Sequence, residues 1–309
     1  KNLSNINKNP KDFSDQVKFY TSSIVNEQGD YPLRKTLYAS SLSLEMDKDG
    51  NIFKLNKPIL PSYSDILFIN SENRKSISID NKRIAKNIAD YIKGNKLPDL
   101  EIDVSFTYLP NYIEILENLE KEMVEYSYYL TIYLYPKWGD EINYNNFAPI
   151  TNDFHKSDLI TQASKLVDYI KVMSYDYTGV LDILPGSITP TNWYEKVIQY
   201  YISKVQDRNK IIMGINTESY QWPEREVAIN PILNYSFLKK EAEIIPRDFF
   251  KEFIRQNSMK KESEFNIDED VFKFTKENKS FIAIMPSDEQ IANQVKIAGE
   301  YGVYGIFYK

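Results

Sequence analysis

The 309-residue sequence has no cysteine and a single histidine, His155. Disulfides, thiol nucleophiles and cysteine metal sites are therefore excluded, and one imidazole cannot build a histidine cluster. A chain without cysteine is also unlike a eukaryotic extracellular domain, which usually carries disulfides. No apolar run approaches the roughly 20 residues that cross a bilayer, so no membrane span is expected. Basic residues are in deficit: 38 Lys and Arg against 44 Asp and Glu leave a net charge of -6. With no basic stripe interleaved with aromatics, nucleic acid is not an expected partner. Glycine is scarce, at 10 residues, which argues against a linker-rich chain. No motif calls for a metal or a cofactor.

What the chain does have is aromatic side chains, with 24 tyrosines and 16 phenylalanines. Its length suits two average domains, or one barrel of about 250 residues with an insertion. Strand-like runs recur at 17–25, 37–46, 65–70, 100–106, 129–136, 169–177, 210–216 and 302–308. Segments with apolar residues at helical spacing separate most of them, as in "RIAKNIADYIKGN" and "NWYEKVIQYYISKV". Eight strands alternating with helices predict an α/β fold, a (β/α)8 TIM barrel. The link "DKDGNIFKLNKPILPSYS" after the second strand reads as a hairpin and loop instead of a helix.

Mixed strand and helix signals from 219 to 284 predict a small α+β insertion between strands 7 and 8. The barrel is then expected over 1–218 and 285–309. The last predicted strand runs up to Lys309, so the face of an eighth helix is expected to be covered by the N-terminal segment or the insertion.

"LPDLEIDVSFTY" (97–108) sets Glu101, Asp103 and Ser105 two apart, on one face of an extended strand. Chemistry in such a barrel sits at the C-terminal strand ends. The fourth strand offers Asp103 there, and the sixth offers Tyr175 and Asp176 in "VMSYDYTG".

These segments resemble glycoside hydrolase family 18, the chitinase-like barrels. The family's D-G-x-D-x-D-x-E lies over Pro98 to Ser105, and its M-x-Y-D over Met173 to Asp176. "LYASSLSLEMDKDGNI" is similar to the second-strand segment. "LPGSITPTNWYEKVIQYY", "GINTESYQWP" and "FIAIMPSDEQIANQVKIAGEYGVYGIF" are similar to segments of the bacterial branch that acts on spore-cortex and cell-wall peptidoglycan. The resemblance spans roughly residues 17 to 309.

It implies substrate-assisted hydrolysis: a terminal Glu protonates the leaving oxygen, while the neighbouring Asp and the sixth-strand Tyr orient the acetamide that attacks the anomeric carbon. In this sequence Ser105 stands at the general-acid position. A serine hydroxyl holds its proton too tightly for that role near neutral pH. No catalytic set is then intact; Asp103, Tyr175 and Asp176 are expected as remnants.

Glu101 lies roughly 13 Å further down the strand and is expected to be a buried barrel residue. Glu218, at the top of the seventh strand, is the candidate displaced acid, with a rim salt bridge as its plainer reading. Lys309 falls where the family's sugar-flooring Trp belongs. Ser22 and Ser23 replace the first-strand aromatic platform, and Ser71 and Glu72 replace a glycine-rich third-strand end. Tyr108, Tyr135, Tyr177, Trp138 and Trp222 are candidates for stacking on sugar rings, with core packing as the alternative.

The expected ligand-binding residues are Asp103, Tyr175, Asp176, Tyr177, Trp138 and Trp222. Three functions stand: an inactive family 18-like protein binding an N-acetylglucosamine-containing glycan or a protein partner, an active hydrolase whose acid is Glu218, and a structural or adaptor subunit. The opening "KNLSNINKNPKDF" is not an apolar signal segment, so a secreted or cell-envelope bacterial protein with its signal removed is expected, or a cytoplasmic one.

Overall fold

The computed structural model describes residues 35–38, 42–55, 65–139, 157–179, 185–223, 242–262 and 267–309. By its contacts the chain divides into Lys1–Asp30 and Tyr31–Lys309, and every described residue belongs to the second unit. The predicted first strand (17–25), with Ser22 and Ser23, lies outside the described residues, as does His155.

The strands in chain order are β1 (Lys35–Tyr38), β2 (Leu42–Met46), β3 (Ile52–Lys54), β4 (Ile66–Phe68), β5 (Asp99–Ile102), β6 (Tyr129–Leu134) and β7 (Tyr169–Val172). They continue as β8 (Ile211–Ile215), β9 (Glu218–Pro223), β10 (Glu243–Pro246), β11 (Asp270–Lys276), β12 (Lys279–Met285) and β13 (Gly305–Tyr308). Two helices, α1 (Ser71–Lys75) and α2 (Asn81–Asn95), follow β4. After β5, β6 and β7 come α3 (Tyr112–Glu122), α4 (Ser157–Leu166) and α5 (Thr191–Lys204). The last two are α6 (Arg247–Gln256) and α7 (Asp288–Glu300). Among the described residues no helix is long and apolar enough to cross a membrane.

One sheet has the order β1-β13-β8-β7-β6-β5-β4-β2-β3, and all its pairings are parallel except the β2–β3 hairpin. With helices linking the strands, this is the (β/α)8 barrel architecture that the alternation predicts. The hairpin is the one expected after the second strand. It turns at Gly50, whose φ of 81° lies in the left-handed region. The predicted strand 37–46 is instead two strands: β1 pairs with β13, and β2 with β4.

The helices form where the apolar spacing predicts them. In α2 the carboxylate of Asp80 accepts from the Arg83 amide at 2.7 Å and caps the first turn. Ile84, Ala85, Ile88, Ala89 and Ile92 then bury one stripe, and Lys96, with φ 54°, ends the helix in a left-handed turn.

Between β8 and β13 the chain builds a second, antiparallel sheet of order β10-β9-β12-β11, with α6 beside it, which is the small α+β insertion. Its core holds Tyr220, Trp222, Val271 and Ile284 with Ile188. Polar contacts tie it to the barrel. Buried Glu269 accepts from the Ser187 hydroxyl at 2.7 and 2.8 Å and from the Thr189 amide at 2.9 Å. Asp268 accepts from the Thr191 amide at 2.9 Å, where Pro190 leaves α5 without a side-chain cap of its own.

Candidate active site at the C-terminal strand ends

Glu101 lies inside the barrel as a structural ion pair, as its position low on the strand suggests. Lys171 donates to its two carboxylate oxygens at 2.7 and 2.8 Å and to the Tyr133 hydroxyl at 3.1 Å. Tyr133 in turn donates to Glu101 Oε2 at 2.8 Å. Burial pushes the Lys171 pKa down, and the neighbouring Glu101 offsets part of that. All three ammonium hydrogens are used, which is what a charge with 2% exposure requires.

Above this layer the strand reading of 100–106 fails at a specific point. β5 ends at Ile102, and Asp103 caps a 3-10 turn over Val104–Tyr108 by accepting from the Ser105 amide at 2.8 Å. A short acidic side chain that can bond its own backbone two residues on favours this turn over further extension. Ser105 therefore does not continue the strand face of Glu101. Its hydroxyl accepts from the Ile69 amide at 3.0 Å, bridging the tops of β4 and β5.

The sixth-strand segment also turns early. β7 ends at Val172, and the amides of Ser174 and Tyr175 bond back to the carbonyls of Val172 and Met173. Ser174 reaches across to the Gly214 carbonyl at 2.7 Å, and Asp176 takes a φ of 61°. Tyr175 packs against Phe307, with ring centroids 6.0 Å apart. A Cβ on Gly214 would lie 2.7 Å from the Tyr175 ring, so this ring position needs the glycine. Burial, then the charges of Asp176 and Asp103, hold the Tyr175 hydroxyl well above its ordinary pKa, so it stays protonated as a donor.

Lys309 joins the end of β13 to this cluster. Its amide donates to the Ile215 carbonyl at 3.0 Å, and its own carbonyl accepts from Thr217 Oγ1 at 2.5 Å. Its ammonium donates to Asp176 Oδ2 at 2.7 Å and to the Tyr220 hydroxyl at 2.6 Å. The same nitrogen lies 5.0 Å from the Tyr175 ring centroid and 5.3 Å from that of Tyr220. Tyr220, which the sequence did not single out, donates its own proton to Asp176.

Glu218 lies beside this group, its Oε2 3.8 Å from the Lys309 ammonium. That oxygen is buried, and among the described residues it has no hydrogen-bond donor. Burial raises the Glu218 pKa, Asp176 adds to the rise, and Lys309 opposes it.

Trp138 and Tyr177 come together in an aromatic group completed by Trp193, with centroids 5.3 to 6.2 Å apart. Tyr177 is 47% exposed, Trp138 is half-buried and Trp193 is buried. Tyr108 and Tyr135 form a second pair whose hydroxyls are 3.0 Å apart, with Arg74 over the Tyr108 ring. Trp222 corrects the expectation made for it. It is fully buried in the insertion core, because the alternation of β9 turns its ring inward, and no face is open to a sugar. Ser71 and Glu72 open the exposed helix α1, which Asn70 caps. Among the described residues no group of three or more His, Cys, Asp or Glu could hold a metal.

The family model for glycosyl hydrolases family 18 matches residues 69–308. The fold is similar to that of ydhD from Bacillus subtilis, described as a sporulation-specific glycosylase, with TM-score 0.67 and 17% identity over 86% of this chain and 88% of that one. The spore cortex-lytic enzyme SleL of Bacillus cereus gives 0.66 and 18% over 90% of this chain and 64% of that one. A chitinase from Chromobacterium violaceum gives 0.66 and 12% over 88% and 85%. By sequence, the glycosylase YvbX of Bacillus subtilis, itself uncharacterised, is 35% identical over 75 residues, which span 24% of this chain and only 21% of YvbX. With 240 consecutive residues matched by the family model and the strand ends arranged as above, the chain belongs to glycosyl hydrolases family 18.

Proposed function

We propose that this chain is a family 18 protein that binds an N-acetylglucosamine-containing glycan without hydrolysing it. The observation that carries the reading is the engagement of Ser105. At the position expected for the general acid, the side chain is a hydroxyl accepting from the Ile69 amide. A general acid contributes about 10²–10⁴-fold, and a serine has no proton to give near neutral pH. The pairing of Asp176 with Lys309 supports the same reading, because the sixth-strand carboxylate is already committed. Asp103 and Tyr175 keep their places at the strand ends, and Tyr177 and Trp138 offer aromatic faces for sugar rings.

The test pairs hydrolysis with binding. Purified chain at high concentration is incubated with chitooligosaccharides and peptidoglycan fragments, and binding of the same oligomers is measured by calorimetry. Saturable binding without turnover is expected; turnover that survives in Glu218→Gln would overturn the assignment of Ser105. A second reading rests on Glu218, whose buried, undonated carboxyl oxygen and raised pKa are properties of a general acid. Turnover lost in Glu218→Gln would establish that reading instead.

A further inference from the structure

The groups beside Tyr175 are arranged as a cation site, and the cation in it belongs to the chain. Asp176 and Glu218 supply carboxylates at 2.7 and 3.8 Å from the Lys309 ammonium, Tyr220 supplies a hydroxyl at 2.6 Å, and two tyrosine rings lie about it. The backbone of Lys309 is fixed by Ile215 and Thr217, so the side chain is delivered to this place by the β13–β8 pairing. A neutral acetamide seated over Tyr175 would have to push the ammonium away from Asp176, leaving two carboxylates beside each other.

We propose that Lys309 is a tethered occupant of the position over Tyr175, keeping N-acetylated sugar from it so that bound glycan touches the rim and not Tyr175. The inference rests on the glycan-binding reading above. It goes beyond that reading by assigning Lys309 as the residue that sets selectivity.

The experiment is a double-mutant cycle on the full chain. Binding of N-acetylglucosamine tetramer is measured for the wild type, Lys309→Ala, Tyr175→Phe and the double variant, with melting curves to show that each is folded. Lys309→Ala is expected to bind about tenfold more tightly, since the vacated position lets the sugar reach the Tyr175 hydroxyl. Tyr175→Phe is expected to leave wild-type affinity unchanged and to cost about tenfold only in the Lys309→Ala background.

Equal Tyr175→Phe losses in both backgrounds, or no gain in Lys309→Ala, would overturn the proposal while leaving glycan binding itself standing. If the wild type shows no binding, glycan recognition by the native chain fails, and new binding by Lys309→Ala still supports the plug. A second readout does not depend on sugar. Ethylammonium should raise the melting temperature of Lys309→Ala and leave that of the wild type unmoved; no difference between the two would count against a cation-demanding site.

Discussion

The buried Lys171–Glu101 pair makes the sharpest prediction about what holds the barrel together. Replacing Lys171 by Met removes three donated hydrogen bonds and leaves the Glu101 carboxylate with only the Tyr133 hydroxyl, deep in the interior. Removing one partner of a buried ion pair costs about 3–5 kcal/mol, most of it the penalty of the charge left behind. At about 2.1 cal/mol/K of unfolding entropy per residue, 1 kcal/mol corresponds to about 1.5 °C for a chain of this size. The melting temperature of Lys171→Met should therefore fall by about 5–8 °C. Glu101→Leu should cost about as much, because it strands the ammonium. The double variant removes both charges and costs the Tyr133 hydroxyl its bonds to Glu101 and Lys171, at about 1–3 kcal/mol, so it should melt above either single variant. Calorimetry on the four proteins reads this directly. A double variant as unstable as the two singles added together would show that the pair is not coupled, and the reasoning would be refuted.

Three more outcomes follow from the same geometry. Glu218 is protonated more readily folded than unfolded, so its ionisation opposes folding, and this loss grows as pH rises from the ordinary carboxyl range through the raised value. Glu218→Gln should therefore stabilise the chain near pH 7 and have little effect near pH 4, as urea midpoints at the two pH values would show. Gly214→Ala places a methyl 2.7–2.9 Å from the Tyr175 and Phe307 rings and should cost about 1–3 kcal/mol in urea unfolding. Trp222→Ala should lose about 3–5 kcal/mol of stability, whereas Tyr177→Ala should melt within about 0.5 kcal/mol of the wild type and weaken oligosaccharide binding.

Much of the barrel could be read from the chain because parallel strands and their helices repeat a local pattern that every segment states for itself. The site was legible only where a motif is contiguous. Asp103, Tyr175 and Asp176 stand at strand tops, as their motifs imply. The face shared by Glu101 and Ser105 did not survive, because Asp103 bonds its own backbone and ends the strand at Ile102. Lys309 was placed at the floor position, yet its bond to Asp176 joins residues 133 apart and has no local signature. Lys171 carried a readable signal that went unused: a lone charge in an apolar parallel strand requires an opposite charge on a nearby one, and Glu101 was there. Trp222 was misread because whether a ring in a strand faces a core or a cleft depends on which sheet that strand joins.

The capping of α5 by Asp268 reverses the order in which this part of the molecule can be completed during synthesis. The helix begins at Thr191, but the carboxylate that receives its first amide is made 77 residues later, together with Glu269, which clasps the loop before it. Until the ribosome has passed the insertion, the end of α5 nearest the site has only water to bond. Cutting out the insertion would remove Asp268 and Glu269, and with them the latch of a helix encoded well upstream.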